Sequence, residues 1–169
     1  MRIALLQAED WRELRAIRLE AFSQSPAAFS TTLAEALARP DDDWRQRLAA
    51  ARSIHLAARG EGRVIGLAGA HLESDEGDQT VAVVFGMYVS EAFRGRGIGR
   101  LLLQALLDRL QAMPRIETVR LWVRPSQRPA LRLYESLGFR IDGEADDGSG
   151  RELIMDLQRP RFRTATNLD

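Results

Sequence analysis

The chain has no cysteine and no lysine, and its only histidines are His55 and His71. Without cysteine there are no disulfides, no thiol nucleophile, no acyl-cysteine relay and no Cys/His zinc site, and a scarcity of histidine removes most haem ligation. Without lysine, Schiff-base chemistry is excluded, as is the P-loop motif that ends in Gly-Lys-Ser/Thr. Arginine supplies all 24 basic charges, which balance 24 acidic ones for a net charge of zero and a pI near 6.8. No long-range field therefore draws the chain to phosphodiesters or anionic lipid, so neither nucleic acid nor membrane is expected as a partner. No apolar run approaches the length of a membrane span, and Ile3-Ala4-Leu5-Leu6 is too short for a signal peptide, which predicts a cytoplasmic protein. At 169 residues and 45% hydrophobic content the chain can bury one substantial core. One domain over residues 1–158 is expected, with a frayed, Arg-rich tail at 159–169.

What is present is concentrated in Met87-Tyr88-Val89-Ser90-Glu91-Ala92-Phe93-Arg94-Gly95-Arg96-Gly97-Ile98-Gly99-Arg100, an apolar strand running through a Gly/Arg turn into a helix. Glycines let successive backbone N–H groups point inward as an anion-binding nest, and the following helix adds the positive end of its dipole. Arg94, Arg96 and Arg100 can add charge-assisted hydrogen bonds. The spacing matches neither a P-loop nor the dinucleotide fingerprint Gly-x-Gly-x-x-Gly, whose third glycine would fall on Arg100. A pyrophosphate-bearing ligand is the reading that remains. An Arg-Gly-rich RNA patch is the alternative, and the neutral net charge speaks against it.

Periodicity predicts a mixed order of elements. A strand at Arg2–Leu6 precedes a helix from Asp10 to Phe22, with Trp11, Leu14, Ile17, Leu19 and Phe22 on its core face. A short helix is expected over Ala28–Ala38, then another from Trp44 to Ala51 whose N-terminus takes Asp41, Asp42 and Asp43; these three are read as helix-end residues rather than metal ligands. Strands at Ile54–Ala58, Val64–Leu72 and Thr80–Val89 form an antiparallel meander, with turns at Gly60-Glu61-Gly62 and Glu73–Asp78. A leucine-striped helix from Ile98 ends near Pro114, and Val119–Val123 returns as a parallel strand. A helix at Pro129–Leu137, a strand from Phe139, a turn at 146–150 and a final strand through Leu157 complete the chain.

Two motifs resemble those of the GNAT superfamily of acyl-CoA-dependent N-acetyltransferases. One is Arg/Gln-x-x-Gly-x-Gly/Ala, met by Arg94, Gly97 and Gly99. The other is Asn-x-x-Ala-x-x-Leu-Tyr-x-x-x-Gly-Phe, met by Ala130, Leu133, Tyr134, Gly138 and Phe139, with Gln127 in place of Asn. The resemblance implies an α/β GNAT fold: a mixed sheet of about seven strands with a bulge and splay at the cofactor site, flanked by about four helices. It further implies that acetyl-CoA lies like an extra strand. Backbone groups of Met87, Tyr88 and Val89 would meet its pantetheine arm and take the oxyanion. The N–H groups of Gly95, Arg96, Gly97, Ile98, Gly99 and Arg100 would hold its pyrophosphate, with Gln127 and Tyr134 completing the site and no metal required. The two parallel strands would part beyond Val89 to admit the thioester.

Tyr134 is the expected general acid for the leaving thiolate, since a phenol near pKa 10 and a thiol near 8.5 are suitably matched; packing in the core is its bland alternative. No carboxylate lies on the strand through Val89, and Trp122 stands where some relatives carry Glu. Glu73 is therefore the expected base, with His71 or water as substitutes. The partner implied is a small-molecule or peptide amine, reached by direct attack in a ternary complex. A CoA-responsive binding module without turnover is the second reading. Homodimerisation through the last strands is possible on sequence grounds, and specificity is expected in segments 22–44, 73–78 and 146–150.

Overall fold

The computed structural model describes residues 1–72, 78–146, 148 and 150–158. Strand β1 (Arg2–Leu5) leads into α1 (Trp11–Gln24), α2 (Leu33–Ala38) and α3 (Asp41–Ala49). Strands β2 (Ser53–Gly60), β3 (Arg63–His71) and β4 (Val81–Val89) follow, then α4 (Ile98–Gln111), β5 (Thr118–Val123), α5 (Arg128–Ser136), β6 (Arg140–Asp146) and β7 (Arg151–Gln158). All seven strands join one sheet in the order β1-β2-β3-β4-β5-β7-β6, with β4 and β5 parallel and every other pair antiparallel.

Among the described residues five α-helices form where about four were expected. The segment Ala28–Ala38 is not one helix: a 3-10 turn at Pro26–Ala28 is followed by α2, which starts afresh because Thr32 and Glu35 make a reciprocal capping box. The aspartates at 41–43 occupy the first turn of α3, as the dipole argument requires. The β2–β3 turn is shorter than expected, because Gly60 pairs with Arg63 and only Glu61 and Gly62 remain between them. Both adopt positive φ, 52° and 74°, the backbone of a type I′ hairpin whose twist matches the strands it joins. No helix of the described residues is long and apolar enough to cross a membrane.

Apolar side chains divide between the two faces of the sheet. The leucine stripe of α4, with Leu102, Leu103, Leu106 and Leu110 fully buried, packs with Ala82, Val84, Leu121 and Met155 on one face. Trp11, Leu14 and Ile17 of α1 and Trp44 of α3 pack with Ala57, Leu67 and Tyr88 on the other.

One irregularity, in β4, bends the middle of the sheet. The β3–β4 register breaks between Leu67 and Gly69, where Ala68 alone faces both Gly86 and Met87, and Gly86 sits at φ 62°. This extra residue is a bulge, and it reverses the alternation of side chains. Ala82 and Val84 point to the α4 face before it, whereas after it Met87 and Val89 do so and Tyr88 turns to the α1 face. Parallel pairing of β4 with β5 is confined to Val81–Val83 against Thr118–Arg120. The strands therefore part just after Val83, rather than beyond Val89 as the sequence suggested, because the bulge bends β4 away while β5 stays paired to β7 along its whole length.

Candidate active site

A cleft of about 440 Å³ opens where β4 and β5 diverge, lined by Val84 to Val89, Gly95, the run Gly97 to Arg100, Trp122, and Gln127, Leu133 and Tyr134 of the α5 region. The Gly/Arg turn has the backbone conformation of a nest. Gly95 and Gly97 take φ 74° and 76°, and a Cβ on either would meet nothing within 4 Å, so backbone conformation and not crowding within the chain demands glycine there. The first backbone donor to find a carbonyl is Leu101 N, which bonds Gly97 O at 3.1 Å. Among the described residues the six N–H groups from Gly95 to Arg100 bond no backbone carbonyl. Six orphan donors at the N-terminus of a 14-residue helix make a seat that fits a pyrophosphate.

The arginines of this turn are disposed differently from expectation. Arg94 donates from Nε to Val89 O at 3.0 Å and from Nη2 to Ser25 Oγ at 3.1 Å, tying the end of β4 to the end of α1. Arg100 donates to Ser136 Oγ at 2.8 Å and so links α4 to α5 beside the cleft. Arg96 does not line the cleft; its guanidinium donates to Ala92 O at 3.0 Å and lies 5.2 Å from the Phe93 ring. The Tyr88 side chain also points elsewhere, a consequence of the bulge. Its hydroxyl donates to Gln24 Oε1 and Glu20 Oε1 at 2.6 and 3.1 Å behind the sheet, which leaves its backbone to the cleft. Burial, then the Glu20 carboxylate, push that phenol up to about 12.

Gln127 is the N-cap residue of α5 and lines the cleft without a side-chain capping bond. Tyr134, 7% exposed, both packs and faces the cleft: it sits in the α4-side core 5.9 Å from the Phe139 ring and also forms part of the cleft wall. Desolvation alone pushes its phenol up to about 12, so it holds its proton throughout the neutral range.

A second cavity, of about 450 Å³, lies across β4 and meets the cleft at Phe29, Val84, Phe85, Gly86 and Trp122. His71 borders it, stacked on Phe85 at 4.2 Å with its Nδ1 2.8 Å from Ser53 Oγ. His55 borders it too. It is 5% exposed, its Nδ1 has no partner, and burial, then the charge of Arg18 and of His71, lower its pKa to about 4. Glu73, the expected base, lies outside the described residues. Sequence reasoning passed over Arg18, Arg39 and Arg47, which also line this cavity. A signal existed for Arg18: it falls between Leu14 and Phe22 at i+4 spacing, a cation set into an apolar stripe.

A model of the acetyltransferase (GNAT) family matches residues 11–139. Among curated relatives, spermine/spermidine N(1)-acetyltransferase of Bacillus subtilis is 28% identical over 100 residues, 57% of this chain and 66% of that protein, so the match spans just under two thirds of its length. An acetyltransferase of the GNAT family from Streptococcus pneumoniae shares the fold at a TM-score of 0.80 and 20% identity, covering 94% of this chain and 99% of that one. The Salmonella typhimurium protein yncA, solved with its cofactor acetyl-CoA, does so at 0.74 and 22%, covering 94% and 93%.

Proposed function

The chain belongs to the GNAT family of acetyltransferases, and from that premise we propose that it transfers an acetyl group from acetyl-CoA to a primary amine by direct attack in a ternary complex. The observation that carries this reading is the row of orphan N–H groups from Gly95 to Arg100, opening on a cleft that runs between parted parallel strands. Acetyl-CoA supplies an activated thioester, and the residues of this chain bind it, orient it and manage protons around it.

In this reading the nest and the α4 dipole hold the pyrophosphate, with Arg100 and Gln127 at its border. Backbone groups of Met87 and Val89 line the extended arm, with the Val89 carbonyl also accepting from Arg94. The bulge frees the β4 edge beyond Val83, and a backbone N–H there receives the developing oxyanion. The amine enters from the second cavity and passes its proton to water or to His71 on that cavity's wall. Tyr134 hands a proton to the departing thiolate. Its burial raises the phenol, and the same dry surroundings raise the thiol it must protonate, so the two remain matched.

The test is calorimetric titration with acetyl-CoA followed by a thiol-release screen over amines, amino acids, polyamines and peptides, with Tyr134→Phe in parallel. One-site binding and turnover of at least one amine are expected. Tyr134→Phe should lose about 10²-fold or more in kcat while its affinity for acetyl-CoA stays within a few-fold. Absence of acetyl-CoA binding would overturn the reading, and binding without turnover of any amine would leave only a CoA-responsive module.

A further inference from the structure

We propose that the acceptor amine carries an anionic group, a carboxylate or a phosphate, seated among Arg18, Arg39 and Arg47 in the cavity across β4 from the nest; a free amino acid is the simplest molecule of that class. The inference rests on the acyl-transfer reading and names the substrate class of that same site.

Three separate elements deliver these cations to one cavity. Arg18 comes from α1, Arg39 from the residue that ends α2, and Arg47 from the last turn of α3. Several other arginines have a carboxylate partner: Arg59 with Glu13 and Asp10, Arg63 with Glu20, Arg120 with Asp156, Arg151 with Glu144. The guanidinium groups of Arg18, Arg39 and Arg47 make no hydrogen bond and no ion pair among the described residues; only the faces of Phe85 and Trp44 lie under Arg18 and Arg39, at 5.4 and 5.2 Å. They are also close enough to oppose one another. Burial, then Arg47 and Arg39, lower Arg18 to about 10, and burial and Arg39 lower Arg47 despite the nearby Asp43. Glu152 is the one carboxylate among the described residues that line the cavity. A sequence with equal numbers of acids and bases has left three cations together facing an open space, an arrangement that an anionic guest would complete.

Position makes this an acceptor seat rather than a distant anion site. The Arg18 guanidinium lies directly on Gly86, where a Cβ would come within 2.2 to 2.5 Å of its atoms, at the bulge where β4 leaves β5. The anion is thereby held beside the point at which the acyl group must arrive, as an amine with a nearby carboxylate would require. Planar guanidinium forks match carboxylate and phosphate oxygens two at a time. Phe29, Trp44 and Trp122 on the walls accommodate apolar substituents. A polyamine would bring further positive charge against these arginines, so the acceptor named for the Bacillus relative does not suit this cavity.

The test reads product binding and needs neither acetyl-CoA nor turnover. Trp44 and Trp122 border the cavity, so intrinsic fluorescence follows titration with N-acetyl-leucine, N-acetyl-phenylalanine and N-acetyl-glutamate, with their C-terminal amides, with the corresponding phosphonates, and with N1-acetylspermidine. Saturation by the acids or the phosphonates is expected at concentrations at least tenfold below those of the amides and the polyamine, and whichever of the two saturates identifies the anion. Arg39→Gln/Arg47→Gln should weaken that binding tenfold or more, with Arg39→Lys/Arg47→Lys recovering part of it. Equal binding of amides or acetylspermidine, no saturation by any acid or phosphonate, or an unaltered double glutamine variant would overturn the proposal. Should acetyl-CoA bind and only uncharged or cationic amines turn over, this inference fails while the acyl-transfer reading stands; failure of the acetyl-CoA titration is the outcome that removes that reading itself.

Discussion

Among single residues, His55 couples the cavity across β4 to stability. Its imidazole is kept near pKa 4 by burial and by Arg18, against 6.5 in an unfolded chain. Between those values the unfolded chain takes up a proton that the native one refuses. The contribution of neutral His55 is therefore complete above pH 6.5 and is lost as pH falls toward 4, by about 3 kcal/mol. Urea unfolding of wild type and His55→Gln at pH 7 and pH 4 should show the wild type losing that much more than the variant; parallel losses would mean that His55 does not titrate in this way. The legibility of the site divides along the same line. Gly95, Gly97 and Tyr134 stand within short motifs whose spacing carries their chemistry, and all three line the cleft. Arg96, equally prominent in that motif, folds back onto Ala92 and Phe93, since a long side chain on an exposed turn bonds whatever carbonyl its own backbone offers.

At the scale of elements, the bulge in β4 decides most of the architecture that matters. It parts the parallel strands, sends Tyr88 to the α1 face and sets Gly86 under Arg18. Gly86→Ala places a side chain at φ 62° and against the Arg18 guanidinium, so a loss of about 1–3 kcal/mol is expected. Gly95→Ala, also at positive φ but with open space around it, pays the conformational cost alone and should lose less. Denaturant midpoints of the two variants check this order, and a reversal would show that crowding by Arg18 does not matter at Gly86. A bulge and splay were expected at this place from the family resemblance, whereas the parting just after Val83 was not. Alternation in Val81–Val89 is masked by a nearly continuous apolar run, so one extra residue leaves no mark on the pattern.

Across the whole molecule, one sheet separates two apolar layers, and neighbouring positions serve opposite layers: Ala57 and Ala58, Leu67 and Ala68. Neither layer can loosen without exposing the back of the strands that support the other. Leu14→Ala on the α1 side and Leu102→Ala on the α4 side, each almost fully buried, are expected to cost about 2–5 kcal/mol and to leave a single unfolding transition. Far- and near-ultraviolet dichroism should give coincident denaturation curves for both, and a second step in either would show that the layers unfold separately. The order of elements, the backbone of the Gly/Arg turn and the position of Tyr134 were decided by sequence alone, because turn chemistry, hydrophobic period and motif spacing act over a few residues. The parting point of β4 and β5, the direction taken by Arg94, Arg96 and Tyr88, and the meeting of Arg18, Arg39 and Arg47 were decided only by the tertiary structure. Those three arginines come from α1, the end of α2 and the last turn of α3, and only the packing of these helices over the sheet brings their charges to one cavity.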